Sequence, residues 1–310
     1  MEADFYLGLD FGGTKLLLGE ADSSGRVRYE EKYDSGYMNQ REALSFITQS
    51  LDDYFAKGRR KPLAMGLGVV GRADSSRGIW FEMDTERKDA VPIAEILSQR
   101  YGIACYIDND VRSAAKAEQR FGFGKNSDNF IYINVGTGIA AGTVSGGKIL
   151  VGGHYNAGEV GHTHSGIEAG IQCVCGRMDC AEALASGKGL DNCARLYAKR
   201  FANTALNIPK EGKVDARDIF RLAQTDELCA FLAAQAARVL ANLIMNLVRV
   251  SDPDTVVLGG GVVADGFLLP LIKENLNPGT MRYVTNGVVL TRLDPKHIGL
   301  IGACTVAMNL

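Results

Sequence analysis

The sequence predicts a mixed α/β protein in two lobes, and three observations carry that reading. Strand-like and helical segments alternate through the first half, apolar residues are abundant enough to fill more than one core, and glycine-rich turns follow strands at three separate places. Residues 5–10 read as a strand that stops at Gly12-Gly13. Residues 15–21 and 27–31 continue it as a three-strand meander, joined by the turn signal Asp22-Ser23-Ser24-Gly25. Residues 40–55 place Ala43, Leu44, Phe46, Ile47, Leu51 and Phe55 at near-helical spacing, and residues 63–70 return to a strand. A helix at 93–101, a strand at 104–107, a helix from 111 to about 121 and a strand at 130–135 complete the alternation. A Gly-rich hairpin region at 142–153 and a Cys/His segment follow, then a mostly helical stretch at 190–250 and a buried-looking strand at 255–258. Residues 228–250 are apolar on nearly every face, which predicts a helix inside the second lobe and not on its surface. The expected division is 1–122 for an N-terminal α/β lobe and 123–310 for a C-terminal one.

Hydrophobic residues make up 46% of the 310, enough to bury sizeable cores. The formal net charge of −2 provides no broad basic field for nucleic acid or an anionic membrane, so small molecules are the expected partners. The start Met1-Glu2-Ala3-Asp4 is acidic and runs into the first strand without a leader pattern, from which a cytoplasmic location is expected. Seven cysteines, an odd number, suit a reducing compartment. Cys105, Cys193, Cys229 and Cys304 read as small hydrophobes in packed sites.

Asp10-Phe11-Gly12-Gly13-Thr14-Lys15 sits between two strands. Paired glycines there let backbone N–H groups approach an anion, with phosphate the natural one. Asp10 can hold Mg²⁺ through water and Thr14 can donate to a phosphate oxygen, although such a turn can equally be a plain hairpin. Gly136-Thr137-Gly138 and Gly259-Gly260-Gly261 each follow a further strand, so three turns are candidates for one nucleotide. Gly66-Leu67-Gly68-Val69-Val70-Gly71 matches the dinucleotide G-x-G-x-x-G pattern, but its glycines lie within a strand and open no helix, so that reading is set aside.

Asp108-Asn109-Asp110 stands where a strand hands over to a helix. An N-cap is the ordinary role for such residues; the alternative is chemistry, with an amide to bind a hydroxyl beside a carboxylate to take its proton. His162, Cys173, Cys175 and Cys180 offer one imidazole and three thiols, a set that suits a closed, structural four-coordinate zinc site. The C-x-C-x₄-C spacing is not that of a zinc finger, and free thiols in a loop are the alternative.

Taken together, these motifs resemble the ROK family of sugar kinases and related repressors along nearly the whole chain. The resemblance rests on Asp10-Phe11-Gly12-Gly13-Thr14, Asn109-Asp110, Gly136-Thr137-Gly138, Gly158-Glu159-Val160-Gly161-His162, and Cys173-Val174-Cys175-Gly176 through Cys180-Ala181-Glu182, in that order. It implies an actin-like ATPase fold (ribonuclease H-like), two lobes with a central cleft, and ATP with Mg²⁺ as phosphoryl donor. It also implies that Asp110 is the general base, and that Asn109, Glu159, His162 and Glu182 are sugar ligands. His162 would serve zinc through one ring nitrogen and sugar through the other, Gly259-Gly260-Gly261 would form the adenosine-side turn, and the protein would be a homodimer. The chain departs from the family pattern at Arg112, where Asn is common, and at Val70-Gly71, where Pro-Gly is common. Gly71-Arg72 is similar to the Gly-Arg pair of the N-acetylmannosamine kinases, and Asp84 falls near a sugar-contacting position there. Arg72 and Arg112 can each be a plain surface residue or an internal partner for a nearby carboxylate; if Arg72 instead faces the sugar, its fork favours an acetamido carbonyl, which makes N-acetylmannosamine the first expected substrate and glucose the second, with O6 as acceptor. The rival readings are a sugar-sensing regulator of the same family without its DNA-binding domain, for which the first strand at residue 5 leaves no room, and a non-catalytic sugar-binding protein.

Overall fold

The computed structural model describes residues 4–13, 15–84, 86–201 and 203–309. The chain forms two compact units, and each has its own sheet and core. Unit 1 comprises Met1–Asn126, Ile149–Ala157 and Lys296–Leu310; unit 2 comprises Ser127–Lys148 and Gly158–Pro295. The expected boundary at 122/123 therefore lies four residues before the first crossing, and two later segments return to unit 1.

In unit 1, β1 (Tyr6–Phe11), β2 (Lys15–Ala21) and β3 (Val27–Asp34) form the antiparallel meander. Helix α1 (Gln40–Ala56) starts in a full capping box: the Asn39 side chain accepts from the Arg41 and Glu42 N–H groups while Glu42 reaches back to the Asn39 N–H. Next come β4 (Met65–Val69), the short hairpin β5 (Arg72–Asp74) and β6 (Ile79–Glu82), helix α2 (Ile93–Tyr101), β7 (Cys105–Asn109) and helix α3 (Asp110–Phe121). The main sheet runs β3-β2-β1-β4-β7, with β4 parallel to β1 and β7 parallel to β4. The hairpin was not expected from sequence.

The C-terminal helix, Ile298–Ala307, packs on β1, β4 and α3. It comes so near that a Cβ on Gly66 would overlap the Ala303 carbonyl, one on Gly8 would sit 2.7 Å from Cys304 Sγ, and one on Gly302 would sit 2.6 Å from the Ser113 backbone. Gly66 is thus a clearance for helix packing, which explains one glycine of the G-x-G-x-x-G match without any dinucleotide.

Unit 2 carries β8 (Phe130–Val135), β9 (Ile139–Ser145), β10 (Lys148–Ile149), then α4 (Ala181–Ala185), α5 (Gly187–Tyr197), α6 (Ala216–Leu222) and α7 (Glu227–Ser251). After these come β11 (Thr255–Gly259), α8 (Leu268–Glu274), α9 (Pro278–Met281) and β12 (Gly287–Leu290). Its sheet runs β10-β9-β8-β11-β12, with β8, β11 and β12 mutually parallel. Among the described helices α7 alone is long and apolar enough to cross a membrane. It is instead the spine of this core, burying Leu232, Ala236, Leu240, Leu243 and Ile244.

Candidate active site

Strand geometry sets the first phosphate-type turn. Phe11 pairs with Leu16 and the Gly12 N–H donates to the Lys15 carbonyl, closing a tight turn around Gly13. Neither glycine has a positive φ, and among the described residues a Cβ would be 3.8 Å from its nearest neighbour at Gly12 and in open space at Gly13. The fold does not require glycine at either position, whereas close backbone approach by an external group would. Thr14 lies outside the described residues. Asp10 is the penultimate residue of β1, beside this turn. Its flank is partly open to solvent, yet burial of the carboxyl among protein atoms pushes it up to about 6, with Lys15 pulling the other way. Gly299, at the start of the C-terminal helix, is needed here because a Cβ would overlap the Asp10 carboxylate.

The other two turns stand side by side at the C-terminal ends of the adjacent parallel strands β8 and β11, where open α/β sheets bind ligands. The Gly136 N–H donates to the Gly138 carbonyl, and the Val262 N–H donates to the Val135 carbonyl. Gly259 makes room for Tyr132, and Gly260 has φ +92° beside the Val135 carbonyl, so both serve the fold. Gly261, with nothing within 4 Å of its Cβ position, is the glycine left for a ligand.

Asn109 is the N-cap of α3. Its Oδ1 accepts from the Val111 and Arg112 N–H groups at 3.0 and 3.1 Å, and its Nδ2 donates to the Gly71 carbonyl at 3.0 Å. One amide hydrogen remains for another acceptor. The cap places Asp110 at the first helical position, where its Oδ1 accepts from the Val111 N–H at 2.9 Å and the helix dipole favours a carboxylate. Asp108 is the buried member of the triplet. Arg112 Nε reaches its Oδ1 at 2.7 Å and Lys116 Nζ its Oδ2 at 2.7 Å.

Arg112, 2% exposed, also donates to the Ala73 carbonyl at 2.8 Å and the Tyr155 carbonyl at 3.0 Å. It is an internal strut.

Three sequence-predicted sugar residues make local structural contacts. Arg72 makes a two-point pair with Glu82, Nε–Oε1 2.6 Å and Nη2–Oε2 2.8 Å, and its Nη1 donates to the His154 carbonyl at 3.2 Å. The fork expected to face an acetamido group is thus already engaged. Asp84 accepts from the Glu86 and Arg87 N–H groups and pairs with the Arg87 guanidinium, which makes it the anchor of its own turn. Gly71 has φ +84°, and a Cβ there would overlap the Glu82 carbonyl, so its glycine is a demand of the hairpin.

The Cys/His cluster forms as expected. The ligand atoms of His162, Cys173, Cys175 and Cys180 all lie within 4.8 Å of one another. The Cys175–Cys180 sulfur separation is 3.6 Å and Cys173 Sγ is 3.4 Å from His162 Nδ1. Zinc bonds of about 2.3 Å to sulfur and 2.0–2.1 Å to nitrogen set tetrahedral edges of roughly 3.8 and 3.6 Å, so the donor set fits that ion. Burial, reinforced by the neighbouring thiols, pushes Cys180 up to about 12, a crowding that a divalent cation would relieve. Backbone and carboxylate bonds hold the loop that presents these donors. The Cys173 and Arg177 backbones bond at 2.8 Å, Gly176 turns with φ +86°, and Asp179 accepts from the Gly170 and Ile171 N–H groups. Arg177 Nη1 donates to the His162 carbonyl at 2.9 Å. With Nδ1 facing the thiols, His162 turns Nε2 towards Glu159, 3.8 Å from its Oε2.

Sequence reasoning missed Arg177, Asp179 and Gly299, and it named Asp108 without its pairing to Arg112 and Lys116. For Asp108 the i, i+4 spacing to Arg112 was the available signal.

A family model described as "ROK family" matches residues 6–309. The chain is 29% identical over 297 residues to the glucokinase of Halalkalibacterium halodurans, covering 93% of this chain and 89% of that one. It is 27% identical over 312 residues to the N-acetylglucosamine repressor of Escherichia coli O157:H7, covering 96% of this chain and 73% of that one. Among solved structures, the ROK family glucokinase from Streptomyces griseus in complex with glucose and AMPPNP matches with a TM-score of 0.79 and 26% identity. That match covers 99% of this chain and 100% of the other. The fold is the actin-like ATPase fold of the ROK structures. The chain belongs to the ROK family.

Proposed function

We propose that the protein is an ATP-dependent sugar kinase that phosphorylates a hexose or N-acetylhexosamine, at the primary O6 hydroxyl. The observation that carries this reading is the placement of Asp110: a carboxylate fixed at the first position of α3 by the Asn109 cap, in a chain that also keeps glycines its fold does not require at Gly12, Gly13 and Gly261. The glucokinase relatives, one of them solved with glucose and AMPPNP, support it.

In this reading Asp110 accepts the proton of the sugar hydroxyl as its oxygen attacks the γ-phosphorus and the bond to the β-phosphate oxygen breaks. Backbone N–H groups of the three turns would hold the phosphates, and Asp10 would hold Mg²⁺, whose chemistry when bound is neutralisation of phosphate charge. Glu159, His162 Nε2, Glu182 and the remaining amide hydrogen of Asn109 bind sugar hydroxyls. His162, Cys173, Cys175 and Cys180 would hold zinc, which when bound would order the loop and leave no open position for a reactive water.

The substrate ranking changes. N-acetylmannosamine stood first on the strength of a free Arg72 fork, and that fork pairs with Glu82. Glucose, the substrate named for the Halalkalibacterium relative, takes first place. The test is an ATP-coupled screen of hexoses and N-acetylhexosamines with the parent and Asp110→Asn. Asp110→Asn is expected to keep sugar binding and lose about 10²-fold or more in kcat. Unchanged turnover in the folded variant removes Asp110 from the mechanism, and no turnover of any sugar by the parent favours the repressor-like, non-catalytic alternative.

A further inference from the structure

Glu182 faces two ways in unit 2. It lies two residues after the metal-cluster residue Cys180, in the first turn of α4, and its Oε2 accepts the Ile139 N–H at 2.9 Å. That N–H belongs to the residue directly after Gly136-Thr137-Gly138. The carboxylate lies so close to this turn that a Cβ on Gly138 would sit 2.5 Å from Oε2. Gly138 is therefore glycine because Glu182 occupies the space of its side chain. The segment following α4 holds the same turn from its other side: the Gly187 N–H donates to the Gly136 carbonyl at 2.8 Å and the Lys188 N–H to the Thr137 carbonyl at 3.3 Å. One continuous stretch, from Cys180 through the start of α5, thus braces a turn assigned to phosphate.

We infer that Glu182, besides any contact with sugar, is a positioning residue for the nucleotide: its carboxylate fixes the Gly136–Gly138 turn and so links order in the cysteine loop to nucleotide affinity. The inference rests on the kinase reading. It differs from a sugar-ligand role in predicting a defect when no sugar is present. One oxygen is committed to Ile139, and the carboxylate has a second oxygen for a sugar hydroxyl, so the two roles are compatible.

The experiment is calorimetric titration of Mg-AMPPNP into zinc-loaded protein without sugar, for the parent, Glu182→Ala, Glu182→Gln, Glu182→Asp, Gly138→Ala and the Glu182→Ala/Gly138→Ala double variant. Loss of a hydrogen bond to a charged group predicts roughly tenfold weaker binding for Glu182→Ala. Gly138→Ala should weaken binding similarly by displacing the carboxylate, and the double variant should be little worse than either single one. Glu182→Gln, whose carbonyl can still accept the Ile139 N–H, should stay within about threefold of the parent, and Glu182→Asp, one methylene short, should not. Should Glu182→Ala fail to fold, the Gln and Asp variants decide. Parent-like affinity in Glu182→Ala or Glu182→Asp, or a double variant whose loss is the product of the single losses, overturns the inference while leaving the kinase reading intact. A parent that binds no Mg-AMPPNP overturns both.

Discussion

Arg112→Met should be among the most destabilising single substitutions in unit 1. The guanidinium is 2% exposed and makes three bonds: to Asp108 at 2.7 Å and to the carbonyls of Ala73 and Tyr155 at 2.8 and 3.0 Å. Methionine fills similar space but donates nothing, so two carbonyls lose a partner and a buried carboxylate loses one of its two cations. Breaking a buried ion pair from one side costs about 3–5 kcal/mol. Two features pull the value towards the lower end. Lys116 still reaches Asp108 Oδ2, and the Asn109 N–H still donates to Asp108 Oδ1 at 2.8 Å. An expected loss of about 3 kcal/mol corresponds to roughly 6–12 °C at about 2–4 °C per kcal/mol. Urea and thermal melts followed by circular dichroism measure it, with the transition of unit 1 treated separately because two units need not unfold together. Lys116→Met, whose side chain is 24% exposed, should cost about 1 kcal/mol and serves as the control. Asp108→Asn should make Arg112→Met less costly, since the cation then has less to neutralise. An Arg112→Met protein within 1 kcal/mol of the parent would show that the strut carries no stability.

Two further outcomes follow from the same kind of accounting. Metal analysis of protein purified without added zinc should find about one zinc per chain, and the buried-thiol change Cys180→Ser should abolish it; a fully active, zinc-free parent would rule out the metal's structural role. The Ser24 hydroxyl, followed by Arg28 and the Arg26 and Ser24 N–H groups, holds the Asp22 carboxyl down at about 2 against its usual 3.8. A depressed carboxylate stabilises the fold above about pH 4 and loses that contribution as pH falls towards 2. Asp22→Asn should therefore cost about 2 kcal/mol at pH 6 and much less near pH 2.5, and a deficit constant with pH in urea melts would refute the assignment.

Long periodic elements were legible because their signals are local. The spacing of Ala43, Ile47 and Leu51 matches α1, residues 93–101 match α2, and the apolar run at 130–135 matches β8. The cysteine cluster was legible for a different reason, since its three thiols fall within eight positions of sequence. What escaped was short or uniform. Strands β5 and β6 have three and four residues, too few to show a period of two beside the turn signal Asp74-Ser75-Ser76-Arg77-Gly78. In the C-terminal helix nearly every residue is apolar and buried, so it presents no face for periodicity to reveal.

The arginines show where local reasoning stops. Arg72 and Arg112 stood out as charges near a sugar-binding pattern, and a sequence gives no way to tell a side chain aimed at a ligand from one aimed at a carbonyl. Here the two converge on adjacent peptides: Arg72 donates to the His154 carbonyl and Arg112 to the Tyr155 carbonyl. Tyr155 holds φ at +59°, an uncommon conformation for a residue with a side chain, and its ring stacks on Phe81 of β6 at 5.8 Å. Segment Ile149–Ala157 is thereby fastened within unit 1 by two guanidinium groups and an aromatic contact, and the chain continues from it into Gly158-Glu159-Val160-Gly161-His162. Both arginines thus hold the backbone that leads into the segment Gly158-Glu159-Val160-Gly161-His162. The polar contacts of both guanidinium groups are with protein carboxylates and carbonyls of unit 1.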